Sequence, residues 1–185
     1  MKPIRILLTA IACLGLQLAL VGADQTDAEK AARQATRDKL RETLDAATAD
    51  GLKVTFHQSA DQPFVFAGVM SEGLPNLDSL EILITVTQSE TIAFRVYPHY
   101  KGGYINVDKA PDGSGLMHQL LYFNQTNFLF WGIDDAKDVF SGYTITLESG
   151  FPKEAVRVVL ASIHNTDGFV AKLRPFLESS QSGSK

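Results

Sequence analysis

Residues able to carry acid–base or metal chemistry are few in this chain, and they are scattered. His57, His99, His118 and His164 lie in four different stretches, with no pair at i, i+4 and no His-x-His. A zinc or iron centre would therefore have to be assembled from distant segments. The one cysteine, Cys13, sits inside an N-terminal apolar run; without others there is no disulfide framework, thiolate metal site or cysteine nucleophile to consider. Asp134, Asp135 and Asp138 cluster, but they lack the alternating acids, central glycine and closing glutamate of a calcium loop, and they read as a solvated hairpin tip. Gly113-Ser114-Gly115 has Asp112 and Leu116 where a nucleophile elbow needs glycines, so Ser114 is expected to cap a helix. Lys101-Gly102-Gly103 matches neither the P-loop nor a dinucleotide fingerprint. Asn124-Gln125-Thr126 has the form of a glycosylation sequon. No catalytic, cofactor-binding or metal residue is assigned, and no cofactor is expected. An enzyme reading, a hydrolase, would have to draw on Asp134, Asp135 and His118.

The aromatic residues make a stronger pattern. Tyr122, Phe123, Phe128, Phe130 and Trp131 put five rings into ten residues, with Phe94, Tyr97, Tyr100 and Tyr104 close before them. Most must be core. Alternation along a strand sends Phe128 and Phe130 to one face and Leu129 and Trp131 to the other, which leaves Tyr122, Phe128, Phe130 and Trp131 as the candidate partner surface. The same aromatic density suits an apolar-ligand or lipid carrier as the alternative.

The segments that must position these residues begin after a leader. Lys2 and Arg5 precede an apolar run from Ile6 to Val21 that ends in Val21-Gly22-Ala23, the three-part pattern of a cleavable secretory signal over residues 1–23. Ile4 to Ala23 is long enough to anchor in a bilayer, but the internal Gly15 and Gln17 and the Val-x-Ala ending favour cleavage. Removing the leader takes away two basic residues and no acid, which moves the formal net charge from −4 to −6. A nucleic-acid binder would carry a basic surplus instead. The expectation is a periplasmic or secreted protein with no stable membrane span after cleavage.

From residue 24 to 178 the chain reads as one α+β domain. Thr26-Asp27-Ala28-Glu29 has the form of a capping box. It opens a six-turn helix with a mostly alanine stripe (Ala28, Ala31/Ala32, Ala35, Leu40, Leu44, Ala47), a solvated Lys/Arg face, and an end at Asp50-Gly51. The period then changes to two over Lys53–His57, Phe64–Val69, Leu80–Thr87 and Thr91–Tyr97. The stretch Ile82–Val86, apolar on both alternations, is placed at the sheet centre and covered on both faces. An irregular Pro/Gly segment follows, broken by a short strand expected over Tyr104–Val107. A second helix runs through Leu116, Leu120, Leu121 and Phe123, then come two strands joined by residues 134–138. A Pro152-started helix with Val156, Val159, Leu160 and Ile163 on one face is interrupted at Asn165–Gly168. The order is α-β-β-β-β-α-β-β-α, which implies an antiparallel sheet with helices packed on one side. Residues 179–185 are a Ser/Gly-rich tail expected to be disordered.

Over Leu120–Leu177 the succession of Leu-Leu-Tyr-Phe-Asn, a strand ending in Trp131-Gly132, an acidic hairpin, a second strand, a Pro-started valine-rich helix, Asp167 and Pro175 resembles the YbjN-type family, bacterial proteins described as sensory transduction regulators. The resemblance implies a fold like that of the type III secretion chaperones and a non-enzymatic, protein-binding role, with no catalytic residues to carry over. Secretion chaperones hold clients in the cytoplasm, whereas this chain carries an export leader. What the resemblance implies here is a surface that holds another polypeptide through a sheet edge or an apolar helix face, with a homodimer among the arrangements it allows.

Overall fold

The computed structural model describes residues 25–178; the leader expected over residues 1–23 and the tail over 179–185 lie outside the described residues. Helix α1 (Asp27–Ala49) is opened by the expected capping box: the Glu29 carboxylate accepts from the Thr26 amide at 2.7 Å, and the Thr26 hydroxyl accepts from the Glu29 amide. It ends as expected at Asp50-Gly51, where Gly51 takes φ +104°.

The strands are β1 (Phe56–Gln58), β2 (Val65–Met70), β3 (Ser79–Val86), β4 (Thr91–Tyr100), β5 (Gly103–Tyr104), β6 (Phe130–Ile133) and β7 (Val139–Thr146). The remaining helices are α2 (Gly113–Thr126), α3 (Lys153–Ile163), α4 (Thr166–Ala171) and α5 (Arg174–Leu177). All strand pairs are antiparallel, in the order β1-β2-β3-β4-β7-β6, with β5 a short addition to β4. The expected class, α+β with helices against one side of an antiparallel sheet, is the architecture the chain adopts.

Several local expectations are corrected. Strand β4 runs through Pro98 to Tyr100 rather than stopping at Tyr97. Even-numbered β4 residues turn their backbone groups toward β7, and that ladder ends at Val96↔Ser141, so the missing Pro98 amide costs no ladder hydrogen bond. Strand β3 is central in the order but covered on one face only: Leu80, Ile82, Ile84 and Val86 are buried, while Ser79, Glu81, Leu83 and Thr85 are half-buried. The cap of α2 is Asp112, whose carboxylate accepts from the Gly115 amide at 2.8 Å, not Ser114. In α1 the alanines at 31, 32 and 35 are exposed, and three arginines one turn apart face the sheet. Arg33 lies 3.7 Å over the Phe64 ring and donates to the Val86 carbonyl at 2.8 and 3.0 Å. Arg37 and Arg41 follow over Phe64 and Phe66, and Arg41 also donates to Gln58. These side chains are packing elements, because a guanidinium can stack on a ring while its hydrogens reach acceptors at the rim.

The sequon asparagine has a structural use. Trp131 turns its N–H and C=O away from β7, on the outer edge of the sheet. The Asn124 side chain meets both: its Oδ1 accepts from the Trp131 amide at 2.5 Å, and its Nδ2 donates to the Trp131 carbonyl at 3.1 Å. One amide thus stands where the peptide group of a neighbouring strand would, which blunts the centre of an edge that could otherwise pair with another chain. The partner contact through a sheet edge is closed at this point, with both amide atoms of Asn124 engaged on Trp131. Asn124→Ala is expected to cost about 1–3 kcal/mol by leaving two backbone groups without partners. It should also increase concentration-dependent association, read by chemical denaturation and light scattering; Asn124→Asp, which can accept but not donate, should fall between.

Candidate functional site: the open face of the sheet

Pleating sorts the strand residues onto two faces. Phe66, Met70, Leu80, Ile82, Ile84, Ile92, Phe94, Val96 and Trp131 point into the helix layer and are at most 4% exposed. The opposite face has no helix over it. The register sets Ala67, Leu83, Arg95, Gly142 and Phe130 side by side in one row across it, and Val69, Glu81 and Tyr97 in the next.

Aromatic rings form a continuous belt over this face. Phe130 meets Phe140 edge-on at 5.9 Å, Phe140 meets Tyr97 at 5.8 Å, Tyr97 meets Tyr104 edge-on at 5.8 Å, and Tyr104 meets His99 at 4.3 Å. The inner members, Tyr97 and Phe140, are shielded by their neighbours, while Phe130 and Tyr104 at its ends are 43% and 46% exposed. The belt depends on Gly142: a Cβ there would stand 2.9 Å from Phe130 Cζ and 2.6 Å from the Phe94 carbonyl oxygen, so the bare glycine lets Phe130 lie across β7.

One carboxylate is tied into the belt. Tyr104 donates its hydroxyl hydrogen to Glu81 Oε2 at 2.5 Å, and His99 Nε2 stands 3.4 Å from the same oxygen, within ion-pair reach but without hydrogen-bond geometry. His99 Nε2 has no other partner among the described residues. The His99 contact, together with the Tyr104 hydroxyl, holds the Glu81 carboxyl below its ordinary value against the opposing effect of burial. Burial first, and the adjacent Glu81 carboxylate second, push the Tyr104 phenol well up; burial also raises Tyr97, with Arg95 opposing it.

The four residues proposed as a partner surface divide. Phe130 is on the open face. Phe128 precedes β6, so the strand alternation does not yet govern it; it is exposed and stacks at 4.6 Å on Tyr143 of the covered face. Tyr122 is exposed on the outer side of α2, next to exposed Leu121. Trp131 is not at the surface: it occupies the covered alternation and packs against Phe123 of α2 and Phe169 of α4. Those rings fill the space between the helices and the sheet. Asp134 is a turn former, its carboxylate accepting from the Ala136 and Asp138 amides. His118 lies on the exposed side of α2. Among the described residues no group of three or more His, Cys, Asp or Glu is placed to hold a metal ion, and no helix is long and apolar enough to cross a membrane.

Phe140 of the belt, and Arg95 lying over it, were not among the residues the sequence pattern singled out. What could have found them is the alternation in Thr91–Tyr97 and Val139–Leu147, which puts a second set of large side chains on the face opposite the apolar one. The Glu81 linkage makes a pH-dependent contribution of definite sign. Because the folded-state value is depressed, the stabilisation is complete above the ordinary carboxylate value of 4.5 and is lost as pH falls through the lower folded value. The stability difference between the wild type and Glu81→Gln, from urea midpoints, is expected to be constant near neutrality and to shrink below about pH 4.5.

No family model matches the chain, and no curated protein matches it. A crystal structure of the ExsC–ExsE complex contains a chain similar to this one over 78% of the present sequence and 98% of its own, at 16% identity and a TM-score of 0.43. A likeness at that level carries no argument about what this chain binds, which has to come from the surface itself.

Proposed function

We propose that this chain is an exported, non-enzymatic protein-binding module of regulatory or chaperone-like kind, which holds a polypeptide partner on the open face of its sheet. Export rests on the leader pattern of residues 1–23. The observation that carries the binding assignment is the one-sided helix layer. A sheet face left to water is ordinarily polar, yet here Val65, Ala67, Val69, Leu83, Ala93 and the aromatic belt stand among Thr85, Thr91, Arg95 and Thr144, with Val69, Phe130 and Tyr104 exposed by roughly half. Large apolar side chains exposed together on one sheet face mark a candidate interaction site. The resemblance of Leu120–Leu177 to the YbjN-type family supports the same assignment.

A photo-crosslinking amino acid placed at Phe130, and in separate proteins at Tyr104 and at Val158 on the outer side of α3, tests this in the host envelope. Adducts to one and the same protein from positions 130 and 104, absent from 158, are expected. Adducts distributed equally over the three positions, or from 158 alone, would remove the open face as the binding surface.

A further inference from the structure

Arg95 stands in the middle of the open face, between Leu83 on one neighbouring strand and Gly142 on the other. Arg33, Arg37, Arg41 and Arg157 each bring the guanidinium to a protein acceptor: the Val86 carbonyl, Asp38, Gln58 and Asp50. Arg95 does not. Its guanidinium lies 4.6 Å over the Phe140 ring, and its one polar contact is a long 3.4 Å approach from Nη1 to the Tyr97 hydroxyl. Among the described residues no carboxylate lies within 4 Å of it.

The acids nearest to it are committed elsewhere. Glu81 serves Tyr104 and His99. Asp134, which faces Tyr97, holds the amides of its own turn. Beside the guanidinium the next residue on the same face of β4 is the small Ala93, and on the other strand the Phe130 ring lies over Gly142. Phe130 and Phe140 rise along one side. A half-buried guanidinium with unused N–H donors and ring walls is a carboxylate receptor: its fork matches the two oxygens, and the reduced local dielectric strengthens the pair.

On the reading of this face as a polypeptide-binding surface, we propose that Arg95 is its specificity residue and receives the side-chain carboxylate of an Asp or Glu in an extended partner segment whose apolar neighbours rest on the aromatic belt. A flat sheet face suits an extended chain better than an enclosed small molecule. A second copy of this chain is the poorer occupant, because without its leader it would bring another formal charge of −6 onto the same surface.

The test uses the full-length protein and an array of acetylated, amidated nonapeptides with Glu, Gln or Lys at the centre, flanked by randomised apolar residues and threonine. Glu peptides are expected to bind about tenfold more tightly than their Gln counterparts, the worth of one charge-assisted pair. Arg95→Gln should abolish that preference while the protein keeps its cooperative unfolding transition, and Arg95→Lys should keep part of the preference. Equal binding of Glu and Gln peptides, with loss of both in Phe130→Ser, would overturn the role of Arg95 while leaving the open face as the binding surface. Binding to no peptide, or binding indifferent to both Phe130→Ser and Arg95→Gln, would overturn both. A dimer in sedimentation that Arg95→Gln dissociates would assign the face to a second copy and overturn the proposal.

Discussion

The structure depends on the burial of one pleat face along two adjacent strands. Leu80, Ile82, Ile84 and Val86 of β3 and Ile92, Phe94 and Val96 of β4 are each at most 1% exposed. At about 1.5–3 kcal/mol for each buried side chain of this kind, they are the largest coherent stabilising term in the molecule. The register Leu80↔Pro98 through Val86↔Ile92 keeps all of them on one side. A slip of one residue would turn the whole set to water and bring Glu81, Arg95 and His99 under the helices, so the pairing is strongly determined. The open face is the complement of that burial. Its residues occupy the positions the core did not take.

The segments that do not repeat are held by individual polar side chains, each making two or more hydrogen bonds. Asn106, nearly buried, accepts from the Asp108 and Lys109 amides through Oδ1 and donates through Nδ2 to the Ala136 carbonyl and Asp138. It thereby ties the segment after β5 to the β6–β7 turn. Asp167, 4% exposed, accepts from the Asn76 amide and its side chain and fixes the loop between β2 and β3 to α4. Asn124 does the same for the outer edge of β6. Buried polar groups of this kind are costly unless fully partnered, and once partnered they select one arrangement of loops over others of similar apolar burial.

These two features together make a platform. The helix layer and the polar clamps keep the sheet flat-sided and its β6 edge occupied, so what the domain offers to a partner is a broad face. In the belt from Phe130 to His99 each ring packs on the next, and such mutual packing lowers the entropy lost when a partner settles on it. The Glu81 carboxylate, kept ionised to lower pH by His99 and Tyr104, keeps the end of the belt polar.

The succession of elements was legible in the residues themselves, since it follows from local chemistry: the Thr26–Glu29 capping box, the change of period from 3.6 to 2 after Leu52, the turn formers between strands, and the apolar face of α3. So was the separation of Phe130 from Trp131, because alternation places neighbours in a strand on opposite faces whatever surrounds them. Alternation does not say which of the two faces meets the helices, and for that reason Trp131 could be grouped with exposed rings although it lies in the core. Nor could local pattern reveal that Arg33, Arg37 and Arg41 would stack on rings in β2 and the residue before it, that Asn124 would close the β6 edge, or that Glu81, His99 and Tyr104 would meet on one face. Those outcomes depend on the register between segments remote in sequence, and the register is decided only when the apolar faces of sheet and helices are buried together.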